Sequence, residues 1–240
     1  MQKTSPLYGK AFDVLKNSNL FGALSDAVLH DMISEGEEGS WKKADIIDSD
    51  ISTKYLHILL SGKLKISQVD PESGRSIVIF LLGSQDIFDL FSLLDGREHI
   101  VQPVVLDHIE FLRIPLERAR EWIREHPEFN ETFLPYLGKH MRELEEFSES
   151  LVFHDTSTRL AKLILRHIHA CKESDDEHYP VKLINNLSHE SLAEMIGSVR
   201  SVVSTQMHKL KEEGAIVSRR GHLAVKNLEK LMKKCELFHH

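Results

Sequence analysis

Cysteine is almost missing from this chain of 240 residues: Cys171 and Cys235 are the whole supply. Two thiols are too few for a disulfide framework and lack metal-ligand spacing, so both are expected free in a reducing compartment. No apolar run approaches the roughly 18 residues needed to span a bilayer. The opening MQKTSPLYGKAF has no signal-peptide core, so a cytoplasmic protein with no membrane partner is expected. The usual enzyme signatures are missing as well. There is no HExxH, no nucleophile elbow and no Gly-rich phosphate loop, so no catalytic or metal residues are assigned and a His-dependent metalloenzyme is disfavoured. Neither an internal repeat nor a low-complexity segment is found. What is present, 41% hydrophobic and 28% charged residues, is ordinary for a folded globular protein.

The formal net charge of -7 argues against a nucleic-acid partner, but its distribution argues for one. Between Asn185 and Lys234 nine basic residues face five acidic ones, leaving +4 there and about -11 on the rest. A solvated basic face would give the same arithmetic, so sequence pattern has to decide.

From Trp41 to Ile114 short β-rich runs (YLHILL, KLKISQV, SIVIFLL, IEFLRI) alternate with turn signals at Ser61-Gly62, Pro71 to Gly74 and Asp95-Gly96. This predicts an antiparallel β domain. One or two short helices precede it over Ala11 to Ile33, and another follows at Leu116 to His126. Pro127 to Phe153 is the longest helical pattern. In it Leu137, Met141, Leu144, Ser148 and Leu151 step by four, three, four and three residues, a heptad seam that suits a homodimer. A helix packed on its own β domain is the alternative. Pro135 is expected to kink or break this helix. Asp155 is placed to cap a fresh helix over Thr158 to Ala170, making Phe153 to Asp155 a hinge candidate, and Lys172 to His178 is expected to be a loop.

The last stretch, LSHESLAEMIGSVRSVVSTQMHKLKEEGAIVSRRGHLAV, carries the most specific signal. A helix from about His189 to Ile196 stops at Gly197, and Ser198 is placed to cap a second helix to about Glu213. Ala193, Gly197 and Val203 supply the small, turn-forming and inward apolar residues of a helix-turn-helix. AIVSRR and LAV around Gly221-His222 then form a β-hairpin wing. In such a module the second helix enters the major groove, anchored by Val203, Met207 and Leu210. Arg200 is the side chain suited to guanine; Ser201, Ser204, Thr205 and His208 share its face, and His189, Arg219, Arg220 and His222 are placed to touch the backbone. The alternative from another class is a ligand-binding module whose winged helix docks on protein.

The order of parts, with IGSVRSVVSTQMHKLKEEGAI and LVFHDTSTRLAKLIL as its strongest local matches, resembles the Crp/Fnr superfamily of bacterial transcription regulators, and within it the CO-sensing haem activators. The resemblance implies an α+β protein: a cyclic-nucleotide-binding-type β-roll with flanking helices (1–126), a dimerisation helix and hinge (127–155), and a winged helix-turn-helix (156–240). It implies a homodimer on an inverted repeat of double-stranded DNA, with RNA polymerase as a further contact.

The effector implied by the family does not carry over. In nucleotide-binding members a Gly-Glu pair opens a short helix that holds the phosphate, and an Arg with a hydroxyl residue follows. Here Phe88 and Asp89 take the first pair and His99-Ile100 the second, with Arg97 two residues away. Leu144 and Glu145 stand where hydroxyl residues would meet adenine. Cyclic AMP (cAMP) is therefore not the expected effector. An iron-sulfur cluster lacks its cysteines. Asp89 and Phe91 occupy the positions of the CO sensors' haem ligands, so that haem site is missing too. Haem held elsewhere stays open, with His30, His57, His99, His140 or His154 as ligands beside the apolar run Phe80 to Leu94; the plainer alternative makes that run core.

Overall fold

A computed structural model describes residues 1–47, 51–168, 178–219 and 222–236. The expected 172–178 loop, apart from His178, lies outside them, as do Cys171 and Arg220. Cys235 is a free thiol. No helix among the described residues is long and apolar enough to cross a membrane. The chain divides into two units: Met1–Pro71 with Phe80–Glu143, and Glu72–Ile79 with Leu144–His240.

In the first unit, helices α1 (Pro6–Lys16) and α2 (Asp26–Glu35) begin at Ser5 and Ser25, whose hydroxyls accept from the amides of Leu7 and Val28. The strands up to Pro115 are β1 (Glu37–Trp41), β2 (Tyr55–Ser61), β3 (Leu64–Val69), β4 (Ser76–Leu82, its first four residues counted with the second unit), β5 (Ile87–Phe88), β6 (Gln102–Val105) and β7 (Ile109–Pro115). They form two sheets, ordered β1-β7-β2-β5 and β4-β3-β6. Short helices α3 (Ile51–Lys54) and α4 (Leu90–Asp95) join them, and α5 (Leu116–Glu125) follows.

Strand β2 shows how the core is divided. Side chains alternate across a strand, so Leu56, Ile58 and Leu60 pack with Leu15, Leu29 and Trp122 of the flanking helices. Leu59 turns the other way, into a cluster with Trp41, Leu64, Phe88 and Phe111. The same alternation sends His57 to that inner side. Gly62 turns β2 into β3 at φ +84°, where any Cβ would strike the His108 carbonyl.

The long helix α6 (Asn130–Phe153) departs from expectation at Pro135, which lies inside it without ending it. The interruption comes earlier, at a single 3₁₀ turn over Pro127–Phe129. Pro135 and Glu131, whose carbonyl it leaves without a donor, are both exposed, so water can serve that carbonyl. The residues of the heptad seam lie in different surroundings. Leu137 packs on its own unit's core, and Leu144 and Leu151 are half-buried, whereas Met141 is 71% exposed and Ser148 is exposed. The outward apolar residues of α6 are Leu134, Met141, Val152 and Phe153.

The second unit holds α7 (Thr156–Arg166), β8 (Tyr179–Pro180), α8 (His189–Met195), α9 (Arg200–Glu212), β9 (Ile216–Arg219), β10 (His222–Val225) and α10 (Leu228–Glu236). Helix α7 ends at Arg166, short of the expected Ala170, because Ile168 is drawn into an antiparallel bridge with Val181. The hairpin expected of β9 and β10 is joined by β8, in the order β8-β10-β9. His222 pairs with Arg219 and so belongs to a strand rather than to the turn.

Candidate functional site

Ser188 caps α8 by accepting from the Ser191 amide at 3.1 Å. Beyond α8 the chain reverses at Gly197, φ +59°, a conformation that disfavours any side chain. A Cβ there would also lie 2.7 Å from Leu151 Cδ2, so that side chain would have to shift. Ser198 does not cap the second helix as expected. Its amide donates to the Ala193 carbonyl at 2.9 Å, which holds it in the turn, and the N-cap is Val199, whose carbonyl accepts from Val203. Ala193 and Val203 are fully buried at the crossing, and Val203, Met207 and Leu210 anchor α9 as anticipated.

The outward face of α9 carries Arg200, Ser201, Thr205 and His208. Ser204 is half-buried, with its hydroxyl 2.8 Å from His189 Nδ1; these two predicted contact residues serve each other and tie α8 to α9. Thr205 donates its hydroxyl to the Ser201 carbonyl at 3.1 Å, and His208 Nδ1 lies 3.3 Å from Glu212 Oε2. His222 is exposed on β10; the Arg219 side chain, like Arg220, falls outside what is described. Two exposed residues were missed by reading for polar side chains: Val199 at 51% and Val202 at 36%.

The basic residues of this unit do two different things. Arg200, Lys209, Lys211 and Lys226 are exposed. Lys230 and Lys234 instead reach back to the end of α9, donating to the Glu213 carbonyl at 2.7 Å and its carboxylate at 2.9 Å. Lys233 meets Glu229 at 2.8 Å. At the other end of the unit Asp155 caps α7, its carboxylate accepting from the Thr158 amide at 2.8 Å.

In the first unit, the segment aligned with a phosphate cradle is built differently. Phe88 is buried in β5 opposite His57. Asp89 precedes α4 in the left-handed region, φ +72°, with its side chain fully buried. Its Oδ1 lies 3.3 Å from His99 Nδ1, and its Oδ2 has no partner. A phenyl ring thus stands where the family's phosphate cradle has a glycine, and the backbone before α4 is covered by the Phe88 side chain. Arg97 and Ile100 are exposed. Arg120, which sequence reasoning missed, donates to the carbonyls of Ser92 (2.7 Å) and Leu93 (3.0 Å) and fixes the end of α4. Leu144 and Glu145 belong to the second unit.

The apolar run is largely core: Ile87 and Leu93 join one cluster, Leu82 and Phe88 the other. Of the five histidines, His30 bonds to the Tyr8 hydroxyl (2.9 Å) and His154 to Lys162 (3.1 Å). His57 is enclosed by Trp41, Phe111 and Phe88, and neither ring nitrogen reaches a partner at full hydrogen-bonding geometry. Burial lowers its pKa to about 3, Arg113 adds to the effect, and the Tyr55 backbone offsets it slightly. His99, beside Asp89, and His140, whose Nδ1 lies 3.3 Å from Glu143 Oε2, pack against Phe91 (5.0 Å between ring centres) and Phe80 (5.6 Å), which are 6.0 Å apart. Among the described residues no three His, Cys, Asp or Glu side chains form a metal-holding group.

Two family models match the chain. Residues 42–126 match the model of the cyclic nucleotide-binding domain, and residues 158–234 that of the Crp-like helix-turn-helix domain. The CRP-like cAMP-activated global transcriptional regulator of Mycobacterium tuberculosis is 23% identical over 205 residues, 85% of this chain and 84% of that protein. The global nitrogen regulator of Synechocystis is 29% identical over 176 residues, 72% of this chain and 76% of that protein. Among solved structures, a CooA mutant from Carboxydothermus hydrogenoformans aligns with a TM-score of 0.73 at 19% identity, covering 92% of this chain and 98% of that one. That likeness is one of fold.

Proposed function

Because the chain belongs to the Crp/Fnr family of transcription regulators, with a DNA-binding helix-turn-helix and no enzymatic role, we propose that it is a homodimeric regulator controlled by an effector other than a cyclic nucleotide. The observation that carries this reading is Phe88, buried in the inner cluster at the position where the family's phosphate cradle has a glycine. Relatives named for cAMP activation and for nitrogen control are about equally similar, so kinship leaves the effector open.

In this reading α9 enters the major groove with Arg200 on a guanine, and Ser201 and Thr205 beside it. His222, Arg219 and Arg220 of the wing touch phosphates. Two chains associate along the Leu134–Met141–Val152 face of α6 and bind half-sites about one helical turn apart, with RNA polymerase as the downstream contact. Asp155 is the hinge.

The test is fluorescence anisotropy on a duplex selected from random DNA, by the full-length protein, with and without cAMP. The expected result is site-specific binding that weakens with added salt and is unmoved by cAMP. Tightening by cAMP would overturn the effector reading.

A second reading, haem-based gas or redox sensing, is favoured by the two imidazoles of His99 and His140 beside Phe80 and Phe91. Those histidines would hold the iron, and haem would supply the gas-binding metal. An ultraviolet-visible titration with haem decides it: a Soret band lost in His99→Ala or His140→Ala supports the reading, and no band removes it.

A further inference from the structure

The outward face of α9 is more apolar than its sequence suggests. Single exposed valines are common on protein surfaces, but Val202, 36% exposed, has a specific neighbour. Thr205 lies one turn on, and residues three apart share a helix face. Its hydroxyl hydrogen is already given to the Ser201 carbonyl at 3.1 Å, so a partner is offered a methyl group and lone pairs, with no donor. Ser201, on the same side, is short enough to let the helix come close. Arg200 and Val199 flank this patch at the start of the helix, Val199 being 51% exposed.

We infer that Val202 and Thr205 read the C5-methyl group of a pyrimidine in the major groove, thymine in ordinary DNA, beside the guanine assigned to Arg200. The inference rests on α9 being the reading helix. Thymine presents an O4 acceptor and a methyl group there. Thr205 has no hydrogen left for the acceptor, while the Val202 and Thr205 methyl groups can take the thymine methyl out of water. Discrimination at that position is then apolar, and 5-methylcytosine would serve as well as thymine.

The experiment uses the full-length protein and its selected duplex, with each thymine exchanged in turn for deoxyuridine, which deletes only the methyl group. One exchange next to the guanine should weaken wild-type binding roughly fourfold, the weight of one methyl removed from water. The Val202→Ala/Thr205→Ser double variant, which keeps the Thr205 hydroxyl, should bind thymine and deoxyuridine duplexes equally. Both positions are exposed, and a thermal melt checks that the variant folds. A penalty that persists in the double variant, or wild-type affinity indifferent to every exchange while the site is still preferred, overturns methyl reading and leaves DNA binding intact. No preference for any duplex over random DNA overturns both.

Discussion

His189 Nδ1 and the Ser204 hydroxyl stand 2.8 Å apart, joining the first residue of α8 to the middle of α9. Both had been expected to touch DNA. Their bond ties the two helices together. Replacing either with alanine should cost about 1 kcal/mol of stability. The double variant should cost little more than one of them, read by denaturant titration in a double-mutant cycle. Additive losses would mean that the two do not interact.

Gly197→Ala should be among the most damaging single changes in the second unit. The residue would hold a Cβ at φ +59° and 2.7 Å from Leu151 Cδ2. A loss of about 2 kcal/mol or more is expected from strain and contact together. Adding Leu151→Ala should make the pair cost less than the sum of its parts. A melting temperature unchanged by Gly197→Ala would refute the close approach.

Asp155→Ala removes the cap of α7, whose amide at Thr158 then loses its 2.8 Å partner. About 1 kcal/mol should be lost, with most of it restored by Asp155→Ser or Asp155→Asn. If Asp155→Asn is as poor as alanine, the role is in the charge and not in capping.

His57 gives the first unit a pH dependence. Its pKa falls from 6.5 to about 3 on burial, so protonation favours the unfolded chain. The contribution of His57 is fully present above pH 6.5 and is lost as the pH falls toward 3, at up to about 1.4 kcal/mol per unit. His57→Leu removes this slope. Urea midpoints of wild type and variant should therefore diverge between pH 6.5 and 4, with the variant the more stable in acid. Parallel curves would show that His57 already carries its proton in the folded state.

Arg200→Ala should remove discrimination more than affinity. Binding to the selected site should weaken by about 1 to 3 kcal/mol, while binding to random DNA changes only by the loss of one exposed charge. An equal loss on both duplexes would reassign Arg200 to phosphate contact.

Where a continuous apolar run is buried on both faces, the strand is plain in the sequence. YLHILL and IEFLRI put alternate residues into two clusters and were legible as strands. EEGSW was not, because Trp41 is the one buried side chain in β1. The turn at Gly197 could be read from residue type, yet the cap beside it could not: Ser198 has the better capping side chain, and the turn's own hydrogen bond to Ala193 takes it away. Along α6 a spacing count does not separate Leu137, which packs on its own unit's core, from the outward Met141. His189 with Ser204 and Arg120 with the α4 carbonyls join residues far apart in sequence, which no local pattern reports. Helix α10 is signalled by the spacing of Leu228, Leu231 and Cys235, a narrow stripe among many lysines.

Those lysines change what the basic charge of the C-terminal module can do. Lys230, Lys233 and Lys234 are committed to Glu213 and Glu229, so they displace few of the cations condensed on a DNA backbone. Each phosphate contact contributes about -0.9 to the slope of log affinity against log salt. Counterion release by this protein should thus be modest for its lysine content. Its occupancy of DNA in a salty interior would depend on base reading more than on charge, with fewer idle hours on the rest of the genome.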